Sequence, residues 1–199
     1  MNDKLFKRNK GCELDVDWVM SQSANTSAIE RRAATLGTRR SIKKDHQAAW
    51  LLRAISCIDL TTLSGDDTPG RVKRLCTKAI RPIRPDLTKA LGINNLHVGA
   101  ICVYHEMIET AIAALGNSGI PVAAVSTGFP AGLSPLTTRL LEINESVLAG
   151  AKEIDIVISR RHVLTQNWQE LFNEVKAFRS ACGEAHLKTI LATGELGSL

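Results

Sequence analysis

Glu153–Ser159 reads EIDIVIS and Leu187–Thr193 reads LKTILAT. Both are short apolar runs rich in Ile, Val and Leu without clean alternation, the pattern of strands buried on both faces of a parallel sheet. Toward the N-terminus the same rhythm recurs at Val122–Phe129 (VAAVSTGF), Val98–Tyr104 (VGAICVY) and Ala54–Leu63 (AISCIDLTTL). Segments with apolar residues at helical spacing separate these runs. They are Pro69–Ile80, Pro85–Leu91, His105–Ser118, Pro135–Ala149 and Asn167–Ala181. Thr68 is placed to cap the first, with Pro69 at its opening position, and Gly150 is placed to end the fourth. Alternating strand and helix give a parallel sheet, either doubly wound or a (β/α) barrel. No GxGxxG follows a strand and no GxxxxGK[ST] occurs, so a nucleotide-binding sheet is the weaker option.

Upstream of the first run the texture changes. Residues 1–11 are polar and basic and are expected to be disordered. Residues 15–22, 26–37 and 41–53 read as helices, with Asn25 or Thr26 placed to cap the second and Ser41 the third. The chain therefore divides into a tail and helical extension over 1–53 and an α/β unit over 54–199. The net charge of +5 sits in the extension, because residues 1–44 hold ten Lys/Arg against five Asp/Glu and the rest balances. Those charges come in pairs along helical sequence (Arg31, Arg32, Arg39, Arg40, Lys43, Lys44), and aromatic residues make up only 4%. That describes a solvated helix face better than a nucleic-acid surface, which needs interleaved base-stacking side chains.

No apolar stretch approaches the roughly 20 residues of a membrane helix, and no apolar h-region opens the chain, so the expected compartment is the cytosol. Five dispersed cysteines without a CxxC pair form neither a disulfide framework nor a zinc site. The five histidines show no HxxxH or HExxH spacing, so no metal is expected.

Chemistry in a parallel barrel gathers at the C-terminal ends of strands. Asp155, inside EIDIVIS, must be desolvated and needs a partner. Lys188, inside LKTILAT, is the natural one, and the two would shift each other's proton affinity. A structural ion pair between strands explains the same residues equally well. Asp59 could orient a neighbouring lysine or cap a turn. Cys102, among apolar residues, reads as a buried, inert thiol.

The motifs IDLTTLSGDDT (Ile58–Thr68), AICVY (Ala100–Tyr104), VSTGFPAG (Val125–Gly132), AKEIDIVIS (Ala151–Ser159) and HLKTILATGEL (His186–Leu196) resemble the deoxyribose-phosphate aldolases. The helical lead-in with QAAWLL (Gln47–Leu52) resembles the animal-type enzymes. The resemblance implies a TIM barrel and a class I, metal- and cofactor-free aldolase of deoxyribonucleotide catabolism. Its substrate would be a phosphorylated sugar, 2-deoxyribose 5-phosphate, cleaved to glyceraldehyde 3-phosphate and acetaldehyde through a lysine Schiff base. Carried over residue by residue, it implies Asp155 as the aspartate of the proton relay and Lys188 as an auxiliary lysine. Asp59 becomes an active-site carboxylate, and Cys102 and Thr193 border the substrate pocket.

The family's Schiff-base lysine lies in a sixth-strand motif like KTSTG, its partner lysine in a seventh-strand motif like KPAGGIR, and neither occurs here. The expectation is therefore a partial barrel of about five βα strands out of eight, truncated and inactive alone. Such a sheet has open edges, so self-association or pairing with a full-length aldolase is the expected rescue. A non-catalytic half-barrel acting as a binding module is the alternative.

Overall fold

A computed structural model describes residues 11–39 and 41–197. The expected disordered tail lies, apart from Gly11, outside the described residues, as does Arg40. The elements run α1 (Val16–Ser21), α2 (Thr26–Arg39), α3 (Lys44–Ile55), β1 (Asp59–Thr61), α4 (Pro69–Ile80), α5 (Pro85–Ala90) and β2 (Ala100–Val103). Then come α6 (Ile108–Leu115), β3 (Val122–Ser126), α7 (Leu136–Leu148), β4 (Glu153–Val157), α8 (Arg160–Leu164), α9 (Trp168–Ala181) and β5 (His186–Ile190). All five strands pair in parallel and in sequence order, β1 to β5, and the sheet does not close.

Helices cover the outer face of the sheet. Val72, Cys76 and Ala79 of α4, Ile108, Ala111 and Leu115 of α6, Ile143 of α7 and Phe178 of α9 bury against Ile101, Val103, Val122, Ala124, Ile154 and Ile156. These strand positions alternate with an inner set, Cys102, Ala123 and Val125, on which Leu63, Tyr104, Phe129 and Ile190 pack. Strands β2 and β3 are buried throughout, as expected. The edge strands are not: β1 and β5 carry exposed residues, because each lacks a neighbour on one side.

Lys188 on β5 forms an ion pair with Asp59 on β1. A flat sheet would separate these edge strands by four steps of about 4.8 Å, roughly 19 Å, which two side chains cannot span. The sheet is therefore strongly curved, with its inner face concave.

Local signals explain the helix boundaries. Thr68 caps α4 by accepting from Arg71 N at 3.3 Å. Asn25 caps α2 by accepting from Ala28 N at 3.0 Å. Gly150 follows α7 at a φ of +101°, a left-handed conformation, and a Cβ there would come within 2.8 Å of Ile112. Ser41 does not cap α3. That helix starts at Lys44, whose φ of 55° breaks the geometry that would align Ser41 with the first turn. The expected strand over 54–63 is confined to Asp59–Thr61, since α3 continues through Ile55. Helix α8 had no counterpart in the sequence reading.

The extension α1–α3 buries none of its residues. Trp168 Nε1 meets Met20 Sδ at 3.2 Å, tying α1 to the start of α9. Among the described residues no helix is long and apolar enough to cross a membrane.

Candidate active site

The inner face gathers one cluster of ionisable groups. Register places Asp155 of β4 beside Lys188 of β5 and Glu153 beside His186, so Glu153, Asp155 and Lys188 all point inward. The Lys188 ammonium lies 3.1 Å from Asp155 Oδ1 and 3.0 Å from Glu153 Oε2, and it also pairs with Asp59. Cys102 of β2 donates its thiol proton to Asp155 Oδ2, with Sγ at 3.6 Å. Four of the five residues singled out from the sequence thus meet in one place. Thr193 does not join them. It opens an exposed turn, Thr193–Glu195, beyond β5 and takes no part in the cluster's hydrogen bonds.

Glu153 is the member the sequence reading missed. It lies two residues before Asp155 in a strand, so alternation alone puts both carboxylates on one face.

Three carboxylates surround one ammonium, and the proton affinities follow from that imbalance. Burial works against the Lys188 charge. The Asp59 hydrogen bond and the charges of Asp155 and Glu153 outweigh it and push the lysine pKa up. Asp155 is also raised, because burial exceeds the help it receives from Lys188 and Cys102. The Cys102 thiol is pushed up to about 12, first by burial and then by the charge of Asp155. Lys188 is therefore an ammonium and Cys102 a neutral thiol at physiological pH. Asp155 is a carboxylate held above its ordinary proton affinity by burial.

The rim near this face is braced from outside. Arg139 of α7, 2% exposed, donates to Thr127 O (3.0 Å), Val157 O (2.6 Å) and Ser159 Oγ (3.0 Å) and pairs with Glu174 at 2.8 Å. Glu174 in turn accepts from Ser159 N at 2.8 Å and Oγ at 2.6 Å. These bonds lock the C-terminal ends of β3 and β4 to α7 and α9. Nearby, Glu142 accepts from Gly128 N at 2.7 Å and pairs with His105 at 2.8 Å, holding the loop after β3. A cavity of about 460 Å³ lies among α7, α8 and α9. Its wall includes Arg139 and Glu174 but no member of the inner cluster, and that pair's polar atoms are satisfied within the network.

Comparison with known proteins identifies the family and the fold. The profile of the DeoC/LacD family aldolases matches residues 53–197. The deoxyribose-phosphate aldolase of Bos taurus is 55% identical over 199 residues, covering 98% of this chain and 63% of that protein. The Mus musculus enzyme is 56% identical over 194 residues, covering 96% of this chain and 61% of its own. This chain thus spans under two thirds of the length of those relatives. Among solved structures, a Coccidioides immitis protein assigned to the deoxyribose-phosphate aldolases superposes with a TM-score of 0.63 at 22% identity, covering 92% of this chain and 64% of that one. The tetrameric Aeropyrum pernix enzyme gives 0.54 at 24% identity, over 72% and 54% of the two chains. At those identities the likeness speaks for the fold, which in these neighbours is a TIM barrel. Sequence and fold together place the chain in the DeoC/LacD family of aldolases.

Proposed function

We propose that the concave face of this chain is the proton-handling wall of a deoxyribose-phosphate aldolase site, acting on 2-deoxyribose 5-phosphate or a close phosphorylated relative. The observation that carries the reading is the sharing of the Lys188 ammonium among Asp59, Glu153 and Asp155. In a Schiff-base aldolase a free amine attacks the carbonyl, and the resulting cationic imine draws electrons as the carbon–carbon bond breaks. A second acid–base group must move protons during imine formation and cleavage. Asp155, buried and raised in pKa, suits that relay. Lys188 suits an auxiliary role, stabilising Asp155 and a sugar oxygen by its positive charge. Cys102 offers an apolar, neutral wall to the pocket, and Thr193 borders its mouth.

Lys188 is not the imine-forming amine in this proposal. Even at an ordinary lysine pKa only about one amine in a thousand is free at pH 7.5, and the three carboxylates lower that fraction further. Lys188 is also the only lysine on any of the five strands. The 199-residue chain on its own is therefore proposed to be inactive. The test is borohydride trapping with 2-deoxyribose 5-phosphate, read by intact mass, with the bovine enzyme in parallel. The expected result is an adduct on the bovine enzyme and none on this chain. A stoichiometric adduct mapped to Lys188 overturns the assignment.

A second reading is favoured by the unpaired edges of β1 and β5 in the described sheet. Parallel edges bearing free N–H and C=O groups can accept another chain, so the half-barrel would bind a full-length aldolase or a second copy of itself. Light scattering on the purified chain, alone and mixed with the bovine enzyme, decides this. A monodisperse monomer in both samples removes it.

A further inference from the structure

The cluster holds one carboxylate more than the proposed roles employ. Glu153 Oε2 lies 3.0 Å from Lys188 Nζ, and its neighbour in register is His186, two residues before Lys188. Glu153 thus stands one inward position closer than Lys188 to the N-terminal ends of the strands. Asp155 stands level with Lys188 and meets the ammonium through Oδ1 alone, while Oδ2 faces Cys102.

We propose that Glu153 is a positioning residue that draws the Lys188 ammonium toward the base of the sheet and takes a share of its charge, leaving Asp155 Oδ2, which accepts from the Cys102 thiol and not from the ammonium, to carry the proton. The inference rests on the reading of Asp155 as the relay group. The charged and titratable groups on this face are Asp59 from β1, Cys102 from β2, Glu153 and Asp155 from β4, and on β5 itself His186, two residues before Lys188 and beside Glu153 in register. Strand β3 offers only Ala123 and Val125 on this face. With Asp59 across the opening and Glu153 below, two of the ammonium's partners pull it away from Asp155. Asp59 is a like charge that raises Asp155, and Glu153, two residues away on the same strand face, stands as a second one. Both effects act in one direction, keeping Asp155 easier to protonate than a carboxylate paired one-to-one with a lysine.

Glu153→Gln removes the like charge and one competitor for the ammonium. Lys188 then closes on Asp155, and the titration midpoint of Asp155 falls by about one pH unit. The midpoint is read from carbon-13 carboxyl NMR across a pH series, with Asp155→Asn identifying the resonance. Glu153→Asp keeps the charge but withdraws it from the amine by one methylene, and gives a smaller fall. A Glu153 that only braces the sheet would lower the melting temperature of Glu153→Gln and leave the Asp155 midpoint unmoved or raised, which overturns the proposal. Should the glutamine variant fail to fold, the unaltered chain still answers. Lys188, enriched in nitrogen-15, should show a slowly exchanging ammonium with hydrogen-bond coupling to the Glu153 carboxyl carbon. Coupling to Asp155 without coupling to Glu153 refutes the arrangement. These readouts are titrations and couplings, so their failure leaves the aldolase proposal standing, and a failed trapping experiment leaves them unaffected.

Discussion

Alkylation of Cys102 probes the cluster without any assay of turnover. Iodoacetamide at pH 8 attacks the thiolate, and an exposed cysteine near pKa 8.5 is about one quarter ionised. A thiol pushed up to about 12 is about one part in ten thousand ionised, a deficit of roughly 2,000-fold. Its thiolate is more nucleophilic by about 40-fold at a Brønsted slope near 0.45. The chemistry alone therefore slows Cys102 by about 60-fold relative to an ordinary exposed thiol such as that of a free cysteine peptide. Its 3% exposure slows it further. Peptide mapping by mass spectrometry over time follows each site separately from the buried Cys76 and Cys182. Between pH 8 and 10 the Cys102 rate should climb about tenfold per pH unit. Asp155→Asn removes the neighbouring charge that raises the thiol. If the thiol pKa drops by about one, the ionised fraction gains tenfold, intrinsic reactivity loses about threefold, and labelling at pH 8 speeds up about threefold. Rapid labelling of Cys102 in the unaltered chain, or no change in Asp155→Asn, would refute the placement of thiol and carboxylate in one pocket.

Two further outcomes are expected. Arg139→Met strands Glu174 as a buried charge, at about 3–5 kcal/mol, against a total stability of about 5–15 kcal/mol. Urea unfolding followed by tryptophan fluorescence should show the midpoint falling by at least 1 M at a slope of about 2 kcal/mol/M, with Arg139→Met/Glu174→Met recovering part of it. A loss under about 1 kcal/mol means the pair is hydrated in solution. Asp155→Asn should stabilise the chain at neutral pH. A carboxyl raised in the folded state contributes stability below its unfolded pKa and loses it as pH rises through the folded pKa. The advantage of the asparagine over wild type should therefore grow from pH 4 to pH 7.5, and an advantage confined to acid pH contradicts the raised pKa.

The sequence disclosed the strands because burial on two faces writes itself as an apolar run, as at EIDIVIS. It disclosed α4 to the residue, since Thr68 and Pro69 mark a helix start chemically. It concealed α8, whose five residues offer a single buried side chain, Val163, too few to set a period. Ala54 and Ile55 satisfy a helical and a strand pattern at once, so α3 could extend into what reads as the first strand. Asp155 and Lys188 were legible as polar residues inside apolar runs. The Asp59–Lys188 contact depends on the curvature of five strands, which no local stretch encodes. Glu153 was within reach of alternation, but at the first position of its strand it reads as an ordinary solvent-facing end.

The curvature that assembles the cluster does not come from the cluster. Lys188 and Asp59 keep 31% and 39% of their side-chain surface exposed, and ion pairs so open to water contribute about 0–1 kcal/mol. The outer face is different. Residues such as Ile101, Ile154, Ile108, Ile143 and Phe178 are fully buried, and each is worth about 1.5–3 kcal/mol. Helix packing on the outer face therefore sets the bend, and the bend sets which inner side chains meet. Having met, Asp155 is a cost to the fold at neutral pH, because burial penalises its charge more than Lys188 and Cys102 relieve it. A leucine or asparagine would serve stability better at that position. A carboxylate there, beside a lysine shared three ways, gains the fold nothing at neutral pH and fits the proton transfer of the proposed aldolase site, so the Asp155→Asn stability series bears directly on that proposal.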